Sequence, residues 1–317
     1  MNDLFAQFKQ SIGEYNSFAL VCHRRPDGDT IGSTLAFGAY LKSLGKSTRI
    51  YCVDLVPAGL KFLPGSELVK NELDEFWNAA PAVVLIDCGD FSMSNIPLEK
   101  FANKNILVID HHVSNVGFGD INVVASKFSS TAEIVYNYLR YAGCKITKDI
   151  ATNLLTGIYT DTDAFSNLGT TPESLSASSD LLKAGANFKE ITAGTMRNKS
   201  ITALKLWGIA LERLRLDKKK GIAVTVIRKD DIAACRAEPE DLEGVANLLN
   251  HLADVKMAMV LREEKDGMVK GSLRTTNELV DVSKVAKLLG GGGHAKAAGF
   301  SVKGRIIESK NGWEIVE

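Results

Sequence analysis

With 317 residues, 45% of them hydrophobic and 24% charged, the chain is long enough for two domains and too apolar to stay disordered. No stretch approaches the ~20 apolar residues of a membrane span, and residues 1–5 open no secretory pattern, so a cytoplasmic protein with no membrane partner is expected. The charges cancel overall but not locally: residues 1–190 hold 16 basic and 21 acidic residues, an acidic half suited to cations, and residues 191–317 hold 22 and 17, a basic half suited to phosphate.

In chain order, residues 1–17 have the pattern of a short amphipathic helix, and the apolar run 18–22 reads as a first strand. A helix over 31–44 stops at Gly45, followed by a strand at 49–53 and a loop at 57–64. Strands at 82–86 and 106–109 come next, with short helices between and after them, then helices at 130–141, 147–160 and 172–184. Alternating helices and buried apolar strands predict an α/β domain over 1–195 with a parallel, doubly wound sheet. A helical pattern over 200–216 supplies a linker helix within 196–216. Beyond it, strands at 222–227, 256–262 and 268–274, the last two joined through Asp266-Gly267, and helices at 242–252 and 282–289 predict a smaller α+β domain over 217–317. That domain carries the run Gly290-Gly291-Gly292-Gly293-His294-Ala295-Lys296-Ala297-Ala298-Gly299-Phe300.

Four apolar segments end in potential ligands. His23-Arg24-Arg25-Pro26-Asp27-Gly28-Asp29 follows the first strand, Asp87-Cys88-Gly89-Asp90 the strand at 82–86, Asp110-His111-His112 the strand at 106–109, and Asp161-Thr162-Asp163 the segment 154–160. In open α/β sheets, ligands bind at the carboxyl ends of strands. Alone, Asp27 or Asp29 would read as a helix cap; the recurrence of acids at comparable element ends argues for one shared site. Carboxylates with imidazole and no thiolate favour harder ions such as Mn²⁺ or Mg²⁺, with Fe or Co as alternatives. So many acids suggest two ions, an arrangement suited to phosphoester hydrolysis. The five cysteines lack CxxC spacing, and Cys22, Cys52 and Cys88 lie in or beside apolar runs, so they read as reduced core thiols.

In order and spacing, His23-x-x-Pro26-Asp27-Gly28-Asp29-x-x-Gly32-Ser33, Asp87, Asp110-His111-His112 and Asp161-Thr162-Asp163 resemble the four motifs of the DHH phosphoesterases. Gly291-Gly292-Gly293-His294 with Ala297-Ala298-Gly299 resembles the glycine-rich motif of their DHH-associated C-terminal domain. The layout is similar to the short, two-domain members, the nano-RNases with pAp phosphatase activity and the stand-alone cyclic-di-AMP or pApA phosphodiesterases. The resemblance implies two Mn²⁺ ions, with Mg²⁺ or Co²⁺ as substitutes. His23 and Asp27 would hold one, Asp29, His111 and Asp161 the other, and Asp87 would bridge them. Asp110 would fix an imidazole by hydrogen bond, and His112 would face the scissile phosphate as charge stabiliser or acid. Gly292, Gly293 and His294 would bind substrate phosphate or nucleoside, with Arg274 a second phosphate candidate. Ser129-Ser130-Thr131 resembles a family helix start near the substrate; as bare sequence it forms an ordinary N-cap. Relatives often carry glycine where Asp163 stands. They are often homodimers, although this sequence carries no interface signature.

The reading is a Mn²⁺-dependent phosphoesterase acting on very short RNA, linear dinucleotides such as pApA, or pAp. A cyclic-di-AMP hydrolase on the same scaffold is the alternative. A nucleotide- or RNA-binding module is a third, since the glycine-rich domain also occurs in alanyl-tRNA synthetases, but a pure binder would not need every proposed ligand intact. With the metals in one domain and the glycine loop in the other, catalysis is expected between the two, favouring about two to five nucleotides; the small domain lacks the basic stripe and interleaved aromatics of proteins that track long strands.

Overall fold

The computed structural model describes all residues except 197–198, 243, 254, 265, 294, 310–311 and 317. The chain forms two units, residues 1–198 and 199–317. Among the described residues, no helix is long and apolar enough to cross a membrane.

In the first unit, α1 (Asn2–Glu14) leads to β1 (Ser17–Val21), α2 (Gly28–Ser43) and β2 (Ser47–Tyr51). β3 (Val69–Lys70), α3 (Glu75–Ala79), β4 (Ala82–Ile86), β5 (Asn105–Asp110) and β6 (Ile121–Val124) follow. α4 (Thr131–Tyr141), α5 (Lys148–Asp161), α6 (Pro172–Lys183) and α7 (Phe188–Thr195) complete it. The strands pair in parallel in the order β3-β2-β1-β4-β5-β6, which is the doubly wound sheet expected from the sequence. Strand order reverses between β1 and β4, and such switch points are where these sheets bind ligands.

β4 and the runs 18–21 of β1 and 106–109 of β5 are apolar because both of their faces are covered. Phe18, Leu20, Val84, Ile86 and Leu107 join a core with Phe8 of α1, Phe37 of α2, Tyr138 of α4 and Leu154 of α5. Their neighbours Ala19, Val21, Val83, Leu85 and Val108 point the other way, into a second core around Trp77 of α3. β3 and β6 were not evident in the sequence: they are edge strands of two and four residues, too short to show a period.

The second unit opens with α8 (Ile201–Glu212), then β7 (Arg215–Asp217), β8 (Ile222–Ile227) and α9 (Lys229–Cys235). α10 (Val245–Leu248), β9 (Met257–Glu263), β10 (Met268–Arg274) and α11 (Val282–Leu288) come next. β11 (Gly292–Gly293), β12 (Ala297–Lys303) and the hairpin β13 (Arg305–Ser309) and β14 (Gly312–Val316) follow. The sheet runs β11-β12-β10-β9-β8-β7, with β8–β9 parallel and the other pairs antiparallel. α8 buries Leu206 and Ala210 against Ile227, Val245 and Val260 of its own unit. The helical pattern over 200–216 ends at Glu212, and its last residues become β7. The helix expected over 242–252 shrinks to α10, because Gly244 before it is left-handed at φ 95° and the residues after it tighten into a 3₁₀ turn.

Candidate metal centre

The proposed ligands of the first unit converge. His23, Asp27 and Asp87 place ligand atoms within 4.8 Å of one another, as do Asp29, His111 and Asp161, and Asp87, His111 and His112. Asp87 and His111 are each shared between two of these groups.

Each side chain is aimed by its element. Asp27 is the N-cap of α2: its Oδ1 accepts from the N–H groups of Asp29 and Thr30, at 2.9 and 3.1 Å. That cap explains why α2 begins at Gly28 rather than at the first apolar residue, Ile31. The capping oxygen also faces the cluster, with His23 Nε2 3.7 Å away. His23 Nδ1 lies 2.7 Å from the Arg24 carbonyl, which turns Nε2 toward Asp87 Oδ2, 3.4 Å away. Asp29, 1% exposed, spans two helices: its oxygens accept from the N–H groups of Thr131 and Ala132 at the start of α4, at 2.7 and 2.8 Å, and from the Ser33 hydroxyl. His111 Nε2 sits 3.7 Å from Asp87 and 3.5 Å from Asp161. Asp161 reaches the cluster because α2 and α5 touch through glycine: a Cβ on Gly32 would lie 2.2 Å from the Asn153 carbonyl oxygen, and one on Gly157 would meet Asp29 Oδ1 at 2.7 Å.

Asp110 does not join the ligand groups. It is fully buried, and its Oδ1 holds His112 Nδ1 at 2.7 Å. The imidazole it fixes is thus that of His112. Asn115 takes the other oxygen at 2.7 Å and also donates to the Cys88 carbonyl, tying the turn after β5 to the turn after β4. Thr131 donates its hydroxyl to Asp87 Oδ1 at 2.8 Å. Asn115 went unnoticed in the sequence, and Thr131 reads there only as part of the helix start Ser129-Ser130-Thr131. Ser129 and Ser130 do lie at that helix start, but their hydroxyls are engaged locally: Ser130 accepts from the Glu133 N–H and Ser129 donates to the Glu133 carboxylate. Thr131, not either serine, reaches the cluster.

The electrostatics are those of a cation site. Burial, reinforced by the charges of Asp87 and Asp161, holds the Asp29 carboxyl well above the ordinary carboxylate range. Burial followed by the charges of Asp87 and Asp27 does the same to Asp161. Burial alone would lower the His23 imidazole, but the Asp27 and Asp87 carboxylates carry it up to about 11. Burial would likewise lower His112, yet Asp110 and then the charge of Asp87 bring it to about 9. Burial would raise Asp110, but its bond to His112 and that to Asn115 bring it below the usual range. Acids that resist ionisation beside imidazoles that hold protons are what a cation would rearrange by displacing those protons. The donors are carboxylate and imidazole, and His23 is oriented by a hydrogen bond on its other ring nitrogen, so the residues fit a divalent ion.

In the second unit, Arg274 ends β10, its Nε donating to Asn247 Oδ1 at 2.9 Å and its Nη1 to its neighbour's carbonyl at 3.0 Å. Gly292 and Gly293 form the exposed edge strand β11. Arg274 pairs with Ala297 and Gly293 with Ala298, which puts both at the same end of one sheet. His294 lies outside the described residues. Lys296, within the glycine-rich motif, is a structural pin: its Nζ donates to the carbonyls of Asn277, Glu278 and Val280.

Known proteins share this chain's sequence and fold. Residues 17–158 match the DHH family, N-terminal domain, and residues 219–311 match the DHHA1 domain. The bifunctional oligoribonuclease and PAP phosphatase NrnA of Thermus thermophilus is 33% identical over 289 residues, 91% of this chain and 85% of that protein. The protein of the same description from Bacillus subtilis is 25% identical over 297 residues, 92% of this chain and 91% of its own. Among solved structures, an exopolyphosphatase-related protein from Bacteroides fragilis superposes with a TM-score of 0.88 at 26% identity, over 95% of this chain and 91% of that one. RecJ of Thermus thermophilus, solved in complex with Mn²⁺, shares the fold at a TM-score of 0.50 and 13% identity, over 95% of this chain and 52% of its own. By these matches, and by a cluster of acids and imidazoles at the switch point of its sheet, the chain belongs to the DHH family and is a hydrolase of phosphoester bonds.

Proposed function

We propose that the chain is a Mn²⁺-dependent phosphoesterase that uses two ions to hydrolyse short oligoribonucleotides, linear dinucleotides such as pApA, and pAp. The observation that carries this reading is the placement of Asp87 between His23 and Asp27 on one side and His111 on the other. His23 and Asp27 would hold one ion, Asp29, His111 and Asp161 the second, with Asp87 common to both. Such ions supply Lewis-acid charge to phosphoryl oxygens and make water acidic enough to attack near neutral pH. The protein's own part is orientation and proton supply. Asp110 fixes His112 through Nδ1, and its carboxylate favours the protonated imidazole that an acid for the leaving oxygen needs. In the second unit, Arg274, His294 and the backbone of Gly292 and Gly293 would bind phosphate or nucleoside, glycine letting N–H groups approach an anion closely. The activities named for the Thermus and Bacillus relatives support this choice of substrate.

The test is a set of initial rates at one Mn²⁺ concentration on RNA dimers to pentamers, pApA, pAp, cyclic-di-AMP, a long RNA and pyrophosphate. Mononucleotides should be released from the short RNAs, with pApA and pAp also cut, cyclic-di-AMP slower and the long RNA slowest. Native mass spectrometry should count two Mn²⁺ per chain. A preference for cyclic-di-AMP would reassign the substrate, and no turnover with any divalent ion would leave a binding module.

A further inference from the structure

Thr131, the first residue of α4, is fully buried and holds two ligands of the candidate metal centre at once. Its N–H donates to Asp29 Oδ2 at 2.7 Å, and its hydroxyl donates to Asp87 Oδ1 at 2.8 Å. The first bond is made by the backbone and survives any substitution except proline. The second needs a side-chain hydroxyl.

These bonds leave the two carboxylates with different capacities. An ionised carboxylate offers about four lone-pair sites. On Asp29, Oδ1 accepts from the Ala132 N–H and the Ser33 hydroxyl, and Oδ2 accepts from Thr131. What is left on Oδ2 serves one ion. Asp87 accepts a hydrogen bond from Thr131 alone among the described residues, so both of its oxygens keep a lone pair. Those oxygens face different ligands. Oδ2 lies 3.4 Å from His23 Nε2, whereas Oδ1 lies 3.7 Å from His111 Nε2 and 3.6 Å from His112 Nδ1. A carboxylate free to turn about its Cβ–Cγ bond could exchange the two oxygens or offer both to one ion. A hydroxyl anchored on a helix end prevents that turn.

We infer, on the two-ion reading proposed above, that the Thr131 hydroxyl is what makes Asp87 a bridge. It assigns Oδ1 to the ion of Asp29, His111 and Asp161 and leaves Oδ2 for the ion of His23 and Asp27. Thr131 touches neither ion in this arrangement; it is a positioning residue. Hydrogen bonds that orient metal ligands are commonly worth roughly 10–100-fold in metal affinity. Because the bond is to Oδ1, its loss falls on the His111 ion.

The test is calorimetric titration of Mn²⁺ into the whole chain, with electron paramagnetic resonance of the product. Two Mn²⁺ ions that share a carboxylate are exchange-coupled, and their spectrum differs from that of isolated ions. The wild-type chain should bind two ions and show the coupled spectrum. Thr131→Val, close in shape but without the hydroxyl, should bind one ion within threefold of wild type and the other at least tenfold more weakly. Its coupled spectrum should be lost at two equivalents of Mn²⁺. Thr131→Ala, which adds no methyl where the hydroxyl stood, should do the same, and Thr131→Ser should restore both readouts. Fewer than two ions in the wild type would overturn the two-ion reading and this inference with it. Two ions in the wild type, with unchanged affinities and spectrum in Thr131→Val and Thr131→Ala, would overturn the inference alone. So would equal weakening of both ions that serine fails to restore, the mark of a merely structural role.

Discussion

Asp87 stands at φ 63°, in the left-handed region that a non-glycine residue occupies at a cost on the order of 1–3 kcal/mol. It is held there by its N–H on the Ile109 carbonyl at 2.9 Å and by the Thr131 hydroxyl on its carboxylate. The turn takes its side chain out of the strand's alternation and into the space between His23 and His111. Asp87→Ala should therefore leave a folded chain whose Mn²⁺-dependent turnover falls at least a hundredfold; retained turnover would sink the bridging role. Asp161 supports a second prediction, in the metal-free chain. Its carboxyl is raised by burial and by the charges of Asp87 and Asp27. The folded chain thus keeps a proton there over a pH range in which the unfolded chain, with a pKa of ~3.9, has lost it. Stability contributed by that proton is fully present below the unfolded value and is lost as pH rises through the folded one. Asp161→Asn removes the ionising group. In EDTA its Tm should exceed that of the wild type by a margin that widens from pH 4 to pH 7, and a margin constant with pH would contradict this account.

At the scale of elements, the contact of α2 with α5 sets the distance between Asp29 and Asp161. Alanine in place of glycine inside a helix ordinarily gains roughly 0.5–1 kcal/mol. At Gly32 the new Cβ would lie 2.2 Å from a backbone oxygen, which cannot turn aside as a side chain can. Overpacking of that kind costs about 1–3 kcal/mol or more, so the steric effect outweighs the propensity. Gly32→Ala should lower both the Tm and the affinity for Mn²⁺, and an unchanged Tm would show that the helices can part. The same elements show how far the sequence could be read. β1, β4 and β5 were legible because each is an apolar run that stops at a ligand, and the ligand set was legible because the stops recur. Thr131 and Asn115 were not, because their roles depend on partners set by the fold: Thr131 bonds Asp87, 44 residues away in sequence, and Asn115 bridges two strand ends. The sequence left Asp163 either bonding a metal-bound water or facing solvent; its φ of 50°, followed by 58° and 64° at Ala164 and Phe165, adds a backbone requirement that glycine would meet without strain. β12 was hidden for another reason: Ala297-Ala298-Gly299 lacks the alternation that marks a strand, and Phe300 packs over Gly271 only once β10 and β12 have paired.

At the scale of the whole molecule, every candidate metal ligand lies in residues 1–198, and Arg274 with the glycine run lies in residues 199–317. The division predicts a division of labour in kinetics. Arg274→Ala should raise KM for pAp and short RNA about tenfold while leaving the rate on bis-p-nitrophenyl phosphate near wild type, because uniform binding loss appears in KM. His294→Ala should behave alike, and an equal loss on both kinds of substrate would refute a purely nucleotide-gripping role. The bond from Asp29 to the start of α4 has a further consequence, for the order in which the chain folds. The first turn of α4 is completed by a carboxylate made 102 residues earlier, so that helix end cannot be finished locally. During synthesis the ligand-bearing loops emerge one after another, and the cluster stays open until Asp161 has been added. Closure over such sequence separations comes late and slowly. A cation that binds only the closed cluster would stabilise what the folding transition state has yet to form, so divalent ions should act chiefly by slowing the unfolding of the finished protein, which unfolding rates with Mn²⁺ and with EDTA would check.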